Sequence, residues 1–397
     1  MPPSPKPALL AAYWFGIQAL WGALLGISLQ ARSIELHPAH ALIAYGQLAT
    51  IGAIVATVVQ LLMGVYSDRL RAKGRDRRLF FVAGAALGSI GILAFYLAPT
   101  FSALIVSLIF LQVGMNTAVG PYQAIIPDYL PTSVAGMASS WMAGFQSLGN
   151  AAGAVAAAMA AQLLLPGFSI ALALVIMLVA TCAVTVSHIA KLSPRPVEKA
   201  HYRVGGAAID LFLSRAFLWV GFYTMLGYML FYVQDTLRIA GAQFTTGIVI
   251  IIFTLSGALG AALSAKPTDR LDRRMVVNVS TSLFILSLVL FIMVRNMPVM
   301  FGAAALAGVG WGGFLAADWA LGCAILPRGM MATAMGVWNI AVAGPQIAAP
   351  ILATGLLLLV HPGKAAAPPL AFALAVAEVA LGTLWIWRLP PQTRLET

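Results

Sequence analysis

Gly64-Val65-Tyr66-Ser67-Asp68-Arg69-Leu70-Arg71-Ala72-Lys73-Gly74-Arg75-Asp76-Arg77-Arg78 compresses six basic and two acidic residues between two apolar runs, 41–65 and 79–98. A run of about twenty apolar residues is long enough to cross a hydrocarbon core of roughly 30 Å as a helix. The stretch therefore reads as a charged turn between two membrane spans. It has an echo: Thr268-Asp269-Arg270-Leu271, followed by Arg273-Arg274, begins 201 positions after Ser67. Leu130-Pro131 recurs as Leu326-Pro327, and Asn150 aligns with Gln346, both at an offset of 196. A near-constant offset of half the chain is a duplication signal, and two sixes of helices are a transporter architecture.

Composition agrees. The chain has 397 residues, 61% hydrophobic and 9% charged, with a mean hydropathy of +0.93. Soluble domains carry roughly 25% charged residues, and disordered chains are poor in apolar ones, so both classes are excluded. Twelve apolar runs are read as spans: 8–30, 41–65, 79–98, 102–127, 136–163, 168–190, 209–234, 242–264, 275–294, 298–324, 332–359 and 367–387. The first is longer than the apolar core of a signal peptide and no small-residue cleavage site follows it, so it is expected to stay.

In a soluble chain a net charge of +11 would point to nucleic acid. Here the basic residues fall in clusters between spans. With the N-terminus inside, nineteen of the 23 lie on one side and only Arg32, Arg238, Arg295 and Lys364 on the other. Both termini are then expected in the cytoplasm, and the chain in the plasma (inner) membrane. Residues 191–208, basic and proline-bearing, read as the cytoplasmic linker between six-helix halves at 1–190 and 209–397. Two cysteines, Cys182 and Cys323, make neither a disulfide framework nor a zinc site. Met225 and Met229 are four apart but no histidine joins them, so no metal and no cofactor is expected. No hydrolase, kinase or metalloenzyme constellation is present.

The quoted turn resembles the helix 2–3 signature of the major facilitator superfamily. Gly120-Pro121-Tyr122-Gln123-Ala124 through Pro127-Asp128 and Leu130-Pro131 resembles the sucrose-type and glycoside–pentoside–hexuronide branch. So do Phe212-Leu213-Ser214-Arg215, and Met335-Gly336-Val337-Trp338-Asn339-Ile340 with Pro345-Gln346. The resemblance implies an all-α fold of twelve spans in two pseudo-symmetric halves, and a cavity built from spans 1, 4, 7 and 10. It also implies that Asp68, Arg69, Arg75 and Asp128, with Asp269 and Arg270 in the second copy, form a cytoplasmic gate in one state of alternating access. In physical terms, a carboxylate at the end of span 2 can meet a helix N-terminus, an arginine grips a carboxylate bidentately, and Asp128 is the available partner for Arg69. Read from charge alone, the same residues are solvated loop charges obeying the positive-inside rule.

Only Asp318 and Glu378 lie well inside spans, and a buried ionisable group is a functional candidate by default. Asp318 in span 10 is the candidate for carrying a coupling proton; in a cavity-forming span it would have water access. Its competing role is a neutral carboxyl bonded to a neighbouring helix. Glu378 in span 12 reads as packing or a lipid-side contact. The relatives' acids of spans 2 and 4 are missing and Ala324 replaces the acid before the second Leu-Pro, so sodium coupling is not expected.

The remaining polar residues fall in helical register. Gln18 and Trp21 share a face of span 1, and Asn116 and Gln123 one of span 4. Gln146 pairs with Asn150 in span 5, Tyr228 lies in span 7, and Asn339 and Gln346 are in span 11. Neutral amides with aromatic rings suit a substrate rich in hydroxyls; their competing role is to hold helices together. The expected function is secondary transport of a small neutral polar solute, a sugar or glycoside, with or without a proton, by a monomer. The alternatives are export of amphipathic compounds, and an assembly or sensing role without flux.

Overall fold

The computed structural model describes residues 5–130, 135–193, 205–293, 295–325 and 331–391; the side chains at 72, 126–127, 135–140, 143, 265, 269, 323–324 and 331–340 also fall outside the description. The linker stretch 194–204, Pro131, Leu326-Pro327, and the side chains of Asp269 and Asn339 thus lie outside the described residues. The chain divides into two compact units, Met1–Lys199 and Ala200–Thr397.

Among the described residues the long elements are twelve helices. Unit one holds α1 (Pro7–Leu36), α2 (Ala41–Ala72), α3 (Arg78–Leu97), α4 (Phe101–Tyr122), α5 (Ala135–Gln162) and α6 (Gly167–Ile189). Unit two holds α7 (Gly206–Phe231), α8 (Ala242–Arg270), α9 (Arg273–Met293), α10 (Met297–Ile325), α11 (Met331–Val360) and α12 (Ala367–Trp385). Eleven of these are long and apolar enough to cross a membrane; the exception, α5, carries Gln146, Ser147 and Asn150 among small residues. The all-α, twelve-helix expectation is what the structure has.

The neighbour scheme repeats as the sequence does. α1 packs on α5 and α6, α4 on α2 and α3, and α3 on α6; in the second unit α7 packs on α11 and α12, α10 on α8 and α9, and α9 on α12. Glycine permits the closest seams. A Cβ on Gly153 would overlap the Ala19 carbonyl, and one on Gly22 the Asn150 carbonyl, so α1 and α5 meet backbone to backbone. Gly308 and Gly312 do the same for α10 against Phe253 and Gly257 of α8. Both α1 and the end of α7 contain a π-helical turn, at Leu24–Ser28 and Tyr232–Thr236. Such turns cluster at functional sites.

α2 outruns its expected end by seven residues, through Ser67-Asp68-Arg69-Leu70 to Ala72. Gly74 then stops it, at φ +74, with Gly74 N–H bonded to the Arg71 carbonyl (2.9 Å) and Arg75 N–H to that of Leu70 (2.9 Å). This is a Schellman closure, which needs a left-handed residue at that point. The turn restarts as α3 when the Asp76 carboxylate accepts the Arg78 N–H at 2.6 Å.

Candidate functional site

Ending α2 at Gly74 and starting α3 at Asp76 leaves Arg77 pointing back over the turn. Arg77 Nη1 donates to Ser67 Oγ at 2.5 Å and Nη2 to Asp68 at 2.6 Å, while Nε donates to Asp128 at 2.7 Å. Asp128 lies in the short helix Ile125–Tyr129 that follows α4, and Arg71 Nε stands 3.6 Å from the same carboxylate. Burial works against the Arg77 charge, yet Asp128 and Asp68 outweigh it and hold the guanidinium above its ordinary range. The cluster thus ties the end of α2 to the start of α3 and the chain after α4.

Arg77 takes the place the sequence assigned to Arg69. Ser67 and Arg71 are four apart and face inward; Arg69, at about 200° from each on the helix, is exposed. Among the described residues no carboxylate lies within ion-pair distance of Arg69 or of exposed Arg75. Asp128 therefore pairs with Arg77 and Arg71, which corrects the expected Arg69 pairing.

The second copy is weaker for a chemical reason. Asp272-Arg273-Arg274 repeats Asp76-Arg77-Arg78 at offset 196, and Asp272 likewise accepts the Arg274 N–H, at 3.0 Å. The same offset puts Ala324 where Asp128 stands. Arg273, the Arg77 counterpart, donates instead to the Ala320 carbonyl at 3.2 Å. Arg270 is exposed and, among the described residues, has no carboxylate partner.

Within unit one the amides divide in two. Asn116 is buried and donates to the Gln112 carbonyl (2.9 Å) and side-chain oxygen (3.0 Å), so this pair is internally satisfied. Gln18 and Trp21 on α1, Gln123 at the end of α4, and Gln146 and Asn150 on α5 are half-buried; their side chains have no hydrogen bond among the described residues. Gly22 and Gly149 bring the α1 and α5 members of this set alongside one another.

In unit two, Asp318 of α10 is 3% exposed and forms an ion pair with Arg215 of α7. Asp318 was expected to have water access, but it is almost fully buried. Arg215 is buried in the third turn of α7, facing α10, so Asp318 carries its own counter-charge. Four residues on, Trp219 lies under the guanidinium, 5.8 Å from ring centre to Cζ. Phe222 stacks on Trp311 of α10 with centroids 4.4 Å apart and planes at 11°. Tyr223 accepts a hydrogen bond from Gln346 Nε2 at 2.8 Å, joining α11 to the cluster. Tyr228 is buried, its hydroxyl 3.4 Å from that of Thr354. Glu378 is not on a lipid-facing surface: it is 5% exposed, and Thr224 Oγ1 of α7 donates to its Oε2 at 2.9 Å. The aromatic cluster was legible in principle, because Arg215, Trp219 and Tyr223 recur every four residues along one face of α7.

Two repeated sixes of apolar helices, with a charged turn closing α2 on α3, define a membrane transporter and not an enzyme. The chain belongs to the Major Facilitator Superfamily, whose sequence profile matches residues 9–350. No curated protein matches it. Its fold is similar to that of a bacterial homolog of the human lysosomal transporter Spinster, inward-facing and unoccupied, at 13% identity over 96% of each chain and a TM-score of 0.71. It is similar to the nucleoside transporter NupG at 13% identity, over 97% of this chain and 100% of that one, with a TM-score of 0.70. A D-xylose–proton symporter gives 16% identity over 98% of each chain and a TM-score of 0.72.

Proposed function

We propose that this transporter moves a small neutral polar solute, a sugar or glycoside, by alternating access through the plasma (inner) membrane, with both termini in the cytoplasm. The observation that carries the reading is the charge balance of the polar groups inside the helices. Arg215 is a cation within the spans, and Asp318 neutralises it, which leaves no net positive charge to receive a carboxylate or phosphate. Apart from Glu378, what remains among the described residues is neutral: the amides Gln18, Gln146 and Asn150, which have no hydrogen bond there, with Trp21 beside them, and the Tyr223–Gln346 pair among aromatic rings. Amides bond hydroxyls and ring faces cover C–H surfaces. The sucrose-type motifs around Gln123 and Gln346 support a sugar, and similarity in fold to a nucleoside transporter and a D-xylose–proton symporter supports a hydroxyl-rich solute.

The cluster of Arg77, Asp68 and Asp128 acts as the cytoplasmic gate, with the second-copy turn at Asp269 and Arg270 as its weaker partner. The test is uptake by purified protein in liposomes, with a panel of pentoses, hexoses, disaccharides and nucleosides, with and without an imposed pH gradient. Saturable uptake of one of these, inhibited by its unlabelled form, is expected. Extrusion of hydrophobic cations with no uptake across the panel would instead establish the export reading.

A further inference from the structure

Glu378 poses a problem of charge. One carboxylate oxygen, Oε2, accepts from Thr224, while Oε1 is buried with no hydrogen-bond partner among the described residues. α12 packs on α7, α9 and α11, so a counter-charge would have to come from those helices.

On α7, Asp210 is engaged at the helix start by Trp385 (3.0 Å) and Arg388 (3.8 Å). Arg215 is nine residues from Thr224, about 13 Å along the helix, and is paired with Asp318. The hydroxyls of Tyr223 and Tyr228 meet Gln346 and Thr354, and the Tyr232 ring packs on Phe291 and Phe372. Asp235, in the π-helical turn Tyr232–Thr236 that follows α7, is an acid and supplies no positive charge. On α9 the charges sit in the first turn, where Arg273 bonds the Ala320 carbonyl, and Arg274 bonds Asp272 and the Leu389 carbonyl. Residues 341–360 of α11 include no titratable side chain. Among the described residues no cation reaches Glu378.

A bare carboxylate in that position keeps the full desolvation cost of an unpaired ion, whereas the neutral acid leaves only one polar oxygen unmet. We propose that Glu378 is a proton-binding site of this transporter, a carboxylic acid hung on Thr224 in the α7–α12 seam that gains and loses its proton as the protein cycles, while Arg215 and Asp318 remain a fixed ion pair. The step breaks the O–H bond of the acid, leaves the electron pair on the carboxylate and passes H⁺ to water. The seam is closely packed there. Gly221 and Gly382 let the two helices touch, and Ser214 Oγ holds the Gly382 carbonyl at 2.8 Å, one turn beyond Glu378. An ionised Glu378 requires water, and water in that seam separates α7 from α12. The inference rests on the transporter reading but not on the identity of the solute.

The test needs no solute. Infrared difference spectra of the purified full chain are recorded across neutral pH for the wild type, Glu378→Gln and Asp318→Asn. A protonated-carboxyl band is expected that fades as pH rises, persists in Asp318→Asn and vanishes in Glu378→Gln, which keeps the size of the side chain and an acceptor for Thr224. Glu378→Asp guards against misfolding of the amide variant: the band must then shift in frequency. A band that survives Glu378→Gln, is missing from the wild type, or ignores pH overturns the proposal. A chain that shows the titrating Glu378 band yet moves no neutral solute from the panel sinks the sugar reading and leaves this one standing; solute uptake without the band does the reverse.

Discussion

Removing Arg77 should unfasten the turn between α2 and α3, and the structure sets the size of the effect. Arg77 is nearly buried, and its Nε bonds Asp128, itself 14% exposed, at 2.7 Å. A hydrogen bond to a charged partner in such a setting contributes about 1.5–3 kcal/mol. The arm to Asp68 contributes less, under about 1 kcal/mol, because that carboxylate is 69% exposed and screened by water. Arg71, at 3.6 Å, stays behind to compensate part of the Asp128 charge. The Arg77–Asp128 coupling is therefore about 2 kcal/mol, roughly a 30-fold change in an equilibrium constant. A double-mutant cycle of Arg77→Ala and Asp128→Ala, read as unfolding free energy in bicelles, measures it directly. Arg69→Ala, at an exposed position with no ion-pair partner among the described residues, is expected to stay within about 0.5 kcal/mol of the wild type. A coupling below about 0.5 kcal/mol, or an Arg69→Ala cost equal to that of Arg77→Ala, would refute the reasoning from helix phase.

Three further outcomes are expected. Arg215→Leu or Asp318→Leu alone should each lose about 3–5 kcal/mol of stability by stranding a buried charge, while the double Leu variant recovers most of it; monodispersity and thermal unfolding of the three proteins decide this. Gly153→Leu should abolish folded protein because its Cβ collides with the Ala19 carbonyl, whereas Gly144→Ala, whose Cβ meets nothing within 4 Å among the described residues, should express normally on a size-exclusion profile. Epitope tags at either terminus or within 191–208 should be labelled only after the cells are permeabilised; a linker tag labelled on intact cells would overturn the proposed sidedness.

The residues of the charged turn show why parts of the site were legible and others were not. That Gly64–Arg78 joins two spans, and that Thr268–Arg274 repeats it, follows from local composition, since charge collects wherever the chain leaves the bilayer. The glycines of α1, α5 and α10 line tight seams, where a Cβ would meet the neighbouring backbone. Which arginine would bind Asp128 was not legible from composition. Arg69, Arg71 and Arg77 are equivalent as charges, and only the run of α2 on to Gly74, with the phase it imposes, turns Arg69 outward and brings Arg77 across.

The sequence by itself determined twelve helices, two related halves and a membrane as solvent, because apolar length and residue spacing are properties of neighbouring residues and the bilayer enforces them one segment at a time. Tertiary structure alone decided the partners. Asp318 and Glu378 look alike in sequence, each a lone acid in an apolar run. Packing gives Asp318 the guanidinium of Arg215, 103 positions away, and among the described residues gives Glu378 only the hydroxyl of Thr224, 154 positions away. The difference lies in which face of α7 each acid meets. That face is fixed when the helices close on one another, so the charge state of either acid is set by packing and not by the run of sequence around it.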